Sequence, residues 1–344
     1  MLIITGIFSS QNTLKDLVFT LYEPIKTDMA LFIPFIACAF FFISCSPIQF
    51  APEARYTSSS GNIYRQDTDG TNRSSGRQEE DDRYSSYDDG WDCGEFYLDN
   101  NVYIDHYINY YSEGAGRYTM TVALERSSRY VPLMQRLFEE SGLPEKLAYI
   151  SMVESEFDPT AVNSDSGATG HWQFTRSTAG DYNLHIDKHV DERRDPVLST
   201  KAAIQYLKRL CNIFYDWNLA IAGYNGGGSR ISNTVLISST SDRSGRDFWY
   251  LYEKKILRKE TREFVPKVIA RIKIAQDPNK YDFYNLNYQP PLSYELVRIR
   301  NSSSLSYIAD KLGVPLSQLK ELNPMYLGDH VPVYGKETYI RVPD

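Results

Sequence analysis

The chain has 344 residues, with 44 acidic side chains against 37 basic ones and a net charge of −7. No basic stripe dominates, which argues against a nucleic-acid-binding protein, and the length suits about two folded units plus tails. Tyrosine is abundant at 27 residues; its ring stacks on sugars while its hydroxyl bonds to them, although ordinary packing uses tyrosine equally well.

Residues 1–45 read as an export signal. Ala30 to Ile43 is nearly uninterrupted apolar sequence, short for a bilayer span and right for a signal h-region. It runs into Phe42-Ile43-Ser44-Cys45, similar to a bacterial lipobox in which Cys45 is lipidated, with Phe42 an imperfect residue there. A short membrane anchor and plain cleavage are the competing readings, and all three export the rest of the chain. Residues 46–90 are Ser, Gly, Asp, Arg and Tyr with few aliphatics. They bury too little apolar area to offset their ordering entropy, so a flexible tether is expected.

Residues 91–285 read as a mainly helical domain. Val102 to Tyr111 is aromatic-rich and helical in pattern. Val131 to Glu140 is an amphipathic helix with Leu133, Leu137 and Phe138 inward, stopped by Ser141-Gly142. Pro144 suits the first turn of the next helix, which ends near Phe157 because Asp158 precedes Pro159. Further helices are predicted over Pro196–Phe214, over Asp216–Tyr224 with a glycine-rich cap from Asn225, and over Thr261–Gln276. With Cys45 lipidated and Cys38 removed, Cys93 and Cys211 remain. They can form one disulfide in an oxidising compartment, or Cys211 can be a free buried thiol on its helix stripe. His185 and His189 lack a metal-ligand context, so neither metal nor cofactor is expected.

The chemistry concentrates between Leu147 and Ala179. Leu143, Leu147, Ile150 and Glu154 step by four, three and four residues, which puts Glu154 at the inward end of an apolar helix face. Desolvation there raises a carboxyl pKa, as a proton donor working near neutral pH requires. A paired core carboxylate is the plainer reading of a lone acid in such a place. Glu156 points to the opposite side and Asp158 lies past the helix end, so the site reads as a single acid.

A run of motifs then resembles a known family. Glu154-Ser155, Phe157, Pro159, Ala161, Ser164, Gly167-Ala168, Gly170, Trp172-Gln173-Phe174 and Thr178-Ala179 are similar to the signature of lytic transglycosylases with a goose-type lysozyme-like fold. Asp191 to Pro196 with Ser199-Thr200, Tyr224-Asn225 with Gly227 and Arg230, and Glu260-Thr261 with Phe264 to Lys267 resemble its later motifs in order. The subgroup most resembled is the membrane-bound, D-type murein transglycosylases that carry LysM repeats. The resemblance implies cleavage of the β-1,4 bond between N-acetylmuramic acid and N-acetylglucosamine. In that mechanism the muramic sugar's own hydroxyl attacks its anomeric carbon, giving a 1,6-anhydro end. Glu154 would act first as acid, then as base, a substrate-assisted exception to the two-carboxylate rule. The resemblance further implies that Ser164, Gln173 and Phe174 line the cleft and that Tyr224 and Asn225 close it opposite Glu154. Plain core packing is the alternative for Trp172, Phe174 and Tyr224. The implied partner is the peptidoglycan glycan strand, with the membrane met through the lipid anchor. The implied location is periplasmic, anchored to the outer membrane.

Departures from the family pattern are an extra residue near Val162-Asn163, His171 for an apolar residue, Gly223 for Ala and Ser229 for Gly. The extra residue puts substrate preference in doubt more than catalysis. Asp191 to Asp195 is read as a solvated or salt-bridged loop. Residues 292–344 resemble one LysM module of strand-helix-helix-strand order, a small α+β (βααβ) unit that binds N-acetylglucosamine-containing glycans in that family. Its predicted elements are Tyr294–Arg300, Ser304–Leu312, Leu316–Leu322 and Thr338–Val342, and about 50 residues make a core small enough to lean on a neighbour. A non-catalytic wall-binding scaffold and a hydrolytic muramidase are the other functions compatible with this sequence.

Overall fold

The computed structural model describes residues 93–238, 247–335 and 337–344. The expectations for the signal, for Cys45 and for the tether lie outside the described residues. Helices dominate, and strands occur only in the C-terminal part of what is described.

The first element, α1 (Val102–Ser112), starts where the Asn101 side chain accepts from the Tyr103 and Ile104 N–H groups. Then comes α2 (Arg117–Glu140), one continuous helix of 24 residues where the sequence suggested only a short helix from Val131. Pro132 lies inside it without ending it. The linker before the C-terminal region runs beside this part of α2, where Gln289 N–H donates to the Glu125 carbonyl at 2.9 Å and Leu292 N–H to that of Arg129 at 3.0 Å. A 3₁₀ turn (Glu145–Tyr149) leads into the short α3 (Ile150–Ser155), which stops two residues earlier than the proline argument placed its end.

After α4 (Arg176–Asp181) and a 3₁₀ turn (Glu192–Arg194), α5 occupies Pro196–Phe214, as its signals indicated. Asp195 caps it, accepting from Val197 and Leu198 N–H groups, and Pro196 fills the first position, where a missing N–H costs nothing. Next come α6 (Trp217–Gly226), α7 (Gly228–Ser238) and α8 (Phe248–Glu253). The last helix of the bundle, α9 (Lys259–Gln276), is its buried centre and packs on α1, α3 and α6. Val265, Val268, Ile269, Ala270, Ile272 and Ile274 are fully buried; truncating one of these Ile side chains to Ala should cost about 2–5 kcal/mol. A disulfide joins Cys93 to Cys211 on α5, resolving the open choice in favour of the bridge.

The C-terminal region holds β1 (Glu295–Ile299) antiparallel to β4 (Thr338–Val342), with Val297 opposite Ile340. Between them lie β2 (Ser303–Ser304), α10 (Leu305–Leu312), α11 (Leu316–Leu322) and β3 (His330–Val331). The small β2–β3 pair was not foreseen, being too short to show alternation. Leu305, Ile308, Leu319, Val331 and Ile340 form a separate small core, to which Val190 of the helical part contributes.

That contribution marks a seam. Val190 bridges Tyr326, Asp191 N–H donates to Met325 O at 2.8 Å, and Leu327 N–H donates to His189 O at 2.8 Å. Arg341 grips Asp195 with both terminal nitrogens, at 2.5 and 2.9 Å, and both side chains are nearly fully buried. The acidic segment is therefore salt-bridged but not solvated, because the C-terminal core covers it. Among the described residues no helix is long and apolar enough to cross a membrane.

Candidate active site

The apolar face that delivers Glu154 is buried as its spacing required, with Leu143, Leu147 and Ile150 inside. Just beyond it the backbone turns sharply: Glu156 and Phe157 are both left-handed, at φ 51° and 57°, a conformation that costs about 1–3 kcal/mol per non-glycine residue. Two arginines hold this exit. Arg271 of α9 donates to Met152 O and lies 3.8 Å from the Glu156 carboxylate, and Arg126 of α2 donates to Glu156 O at 3.3 Å. The Ser151 and Ser155 hydroxyls donate to His171 O at 3.0 and 2.9 Å, sewing α3 to the following loop.

Glu154 opens on a cleft of about 480 Å³. One wall is α2, through Tyr118, Val122 and Arg126; the other is the loop at Val162 and Asn163, with Gln173 beside it. The residue keeps partial surface contact with this cleft while its carboxyl is crowded by protein. Burial pushes that carboxyl up to about 8, and the charge of Glu260 on α9 adds to the effect. It is thus protonated at neutral pH, the state a general acid needs.

Asp158 shares the cleft in the opposite state. Burial acts upward on it, but the Thr160 hydroxyl and N–H, at 2.7 and 2.8 Å, and the Arg126 guanidinium at 3.3 Å hold it below the usual range. One acid is free to give a proton and its neighbour is occupied as an anion.

The loop from Ala161 to Phe174 folds back on itself, with Thr169 bridging both Val162 and Phe174. Gly170 sits at φ 81° where a Cβ would meet the Arg193 carbonyl at 2.0 Å, so no other residue fits. Arg193 holds the loop from outside: its guanidinium pairs with Asp191 at 2.6 Å and donates to Gly167 O and Phe174 O at 2.8 and 3.0 Å.

The residues named from sequence fall into different settings. Gln173 lines the cleft in a left-handed conformation (φ 48°), its amide donating to Gly170 O at 2.9 Å and Ala161 O at 3.3 Å. Phe174 is in the core, its ring 6.2 Å from that of Tyr224. Tyr224 is buried and donates its hydroxyl to Trp172 O at 2.7 Å. Burial lifts that phenol well above its ordinary value, with the charge of Glu154 next in effect, so it stays protonated near the acid. Asn225 is half-buried beside it, two residues before the Gly227 cap. Ser164 is exposed next to Asn163, with its hydroxyl 3.3 Å from Asp165.

Tyr118, Arg126, Asp158, Glu260 and Arg271 were not singled out as site residues. Glu260 was visible as part of a motif, whereas Arg271 is one of several cations on its helix, and Tyr118 and Arg126 carry no local signal. Two departures gain a physical setting. A Cβ at Gly223 would meet the Phe214 ring at 2.8 Å, which favours glycine there. His171 is fully buried, burial drives its imidazole down to about 3, and neither ring nitrogen has a partner within the protein.

Comparison with known proteins fits this geometry. Residues 135–245 match the transglycosylase SLT domain, and residues 293–344 match the LysM-like domain of lytic transglycosylase MltD. The chain is similar to membrane-bound lytic murein transglycosylase D of Escherichia coli strain K12, at 31% identity over 219 residues. The same protein from E. coli O6:H1 strain CFT073 matches equally. The aligned part is 63% of this chain and 47% of each relative, so the chain spans about half the length of the curated relatives it matches. It carries a transglycosylase SLT domain followed by a LysM-like domain of the MltD kind.

Proposed function

We propose that this protein is a peptidoglycan lytic transglycosylase. It cleaves between N-acetylmuramic acid and N-acetylglucosamine and leaves 1,6-anhydromuramic ends. The observation that carries this reading is Glu154, a carboxyl held protonated at neutral pH on the floor of an open cleft. Glu154 gives its proton to the departing N-acetylglucosamine oxygen. The resulting carboxylate takes the proton of the muramic hydroxyl as that oxygen closes on its own anomeric carbon. Help of this kind is typically worth about 10²–10⁴ in rate. Gln173 and Asn225 are proposed to contact the sugar from the cleft, with Ser164 at its edge and Tyr224 and Phe174 supporting the floor.

The hydrolytic alternative has one feature in its favour, the presence of Asp158 in the same cleft. Its oxygens are engaged by Thr160 and Arg126, which supports ring closure over water activation. Mass analysis of products from isolated peptidoglycan decides between them, because the anhydro product is lighter by one water. Products carrying water's oxygen at the new end would overturn the proposal, and release of no soluble fragments would favour a wall-binding scaffold.

The working division is an anchor (1–45), a tether (46–90), a catalytic domain (91–285) and a LysM-like module (292–344) that adds glycan affinity. Export to the periplasm with lipidation at Cys45 is part of this proposal. The Cys93–Cys211 disulfide supports export, since such bonds persist in oxidising compartments. Radiolabelled palmitate incorporated into the full chain and lost in Cys45→Ala checks the anchor.

A further inference from the structure

Tyr118, Val122, Arg126 and Arg129 recur on α2 at intervals of four, four and three residues, so they share one face of the helix. The first three line the Glu154 cleft. Arg129 instead lines a second opening, of about 320 Å³, between the helical part and the C-terminal region. Gln289, Pro290, Pro291 and Ser293 of the linker form one side of it, and Gln318 and Glu321 of α11 the other. Its walls are fixed: Ser128 Oγ donates to Gln289 O at 2.6 Å, beside the linker bonds to Glu125 and Arg129 already described.

The chemistry of this crevice is specific about what it can hold. Arg129 lies 2.9 Å from Glu321, so their charges cancel and a free anion gains little. The Arg129 Nε is buried with no partner in the protein. Two carboxamides, a hydroxyl and an Arg–Glu pair offer donors and acceptors side by side, as a ring of hydroxyl and N-acetyl groups demands, while the two prolines give an apolar surface for its C–H face. From Tyr118 to Arg129 the helix rises roughly 16 Å at about 1.5 Å per residue, so a ligand touching both must be an oligomer. Tyr118 is 78% exposed at the cleft rim, available to stack on a sugar ring.

We propose that the crevice is a second saccharide subsite, joined to the Glu154 cleft along the half-buried α2 face of Val122 and Arg126 into one track for a glycan chain. The catalytic cleft and the crevice then hold different rings of the same strand, each raising the effective concentration of the other's ligand. This inference rests on the peptidoglycan reading of the cleft.

The test uses the exported chain carrying Glu154→Gln, titrated calorimetrically with the di- and hexasaccharide of β-1,4-linked N-acetylglucosamine. The hexasaccharide should bind at least about tenfold more tightly. Adding Gln289→Ala and Gln318→Ala, the first half-buried and the second exposed, should remove most of that gain while disaccharide affinity holds. With Glu154 restored, the same pair should raise the KM for long strands by a similar factor. An unchanged length dependence in the variant overturns the track. So does an effect seen only with strands that bear stem peptides, which would make the crevice a peptide site. If the parent chain releases no soluble fragments from peptidoglycan yet length-dependent binding is lost in the variant, the catalytic reading falls and the track stands. If digestion proceeds and the length dependence is unmoved, only the track falls.

Discussion

Glu154 at the cleft and Asp195 at the seam are both carboxylates drawn away from water, and their surroundings differ in kind. Asp195 accepts from two backbone N–H groups of α5 and from both terminal nitrogens of Arg341, so its charge is fully matched. Glu154 has no such cation, and the nearest charge that matters, Glu260, repels it. The backbone follows the same division. Left-handed non-glycine residues border the cleft at Glu156, Phe157 and Gln173, whereas the seam is made of ordinary bridges and capped turns. Matched charge gives a fixed joint; an unmatched acid held in place by its neighbours gives a group ready to exchange a proton.

The sharpest way to break this contrast is at the acid. Glu154→Gln should lower release of soluble fragments about 10²–10⁴-fold with glycan binding retained, and a variant keeping most turnover would remove Glu154 from its role. The pH dependence sharpens the point. Parent activity should decline as pH rises through about 8, where Glu154 loses its proton. Stability moves with the same group. Its folded value lies above the ordinary 4.5, so its contribution is complete below 4.5 and lost as pH rises through about 8. Against the parent, Glu154→Gln should therefore be matched in acid and more stable in base, by no more than about 5 kcal/mol. Urea unfolding across that range reads the difference, and a gap that does not grow with pH contradicts the assignment.

At the seam, Arg341→Ala alone should cost about 3–5 kcal/mol, because it leaves Asp195 buried and unpaired. The double change with Asp195→Asn should cost less than the sum of the singles. Additive losses in chemical denaturation would show that the pair does not act as a unit. Cys93→Ser should cost about 2–4 kcal/mol, since the bridge closes a loop spanning 118 positions. A thermal midpoint unmoved by reductant would contradict that. The smallest effect is expected at His171. Leu there removes two buried nitrogens without partners, so the variant should be equal to the parent or about 1 kcal/mol more stable. A marked loss would mean the imidazole has a use that its surroundings do not reveal.

Much of this arrangement was legible in one dimension. The stripe ending at Glu154 announced a buried acid because helical spacing and apolarity are local properties. The helix at Pro196–Phe214 announced itself through its Asp-Pro start. What stayed hidden depends on contacts between distant segments. The sequence suggested this helix only from Val131, because local pattern cannot see that it runs from Arg117 through Pro132, packed on its neighbours. The pairing of Asp195 with Arg341 joins positions 146 apart, and nothing near either residue names its partner. Arg126 was one exposed-looking cation among many until the turn after Glu154 came to rest against it.

The covalent tie between Cys93 and Cys211 has a mechanical consequence. A pull on the chain ahead of Cys93 reaches the fold at α5, a helix clamped at its start by Asp195 and inside the bundle along most of its length. The load path bypasses α1 and the cleft wall on α2, so tugging on this end need not widen the mouth above Glu154. On the proposed reading of an anchored wall enzyme, the chain could then be dragged along its polymer without losing the shape of its grip.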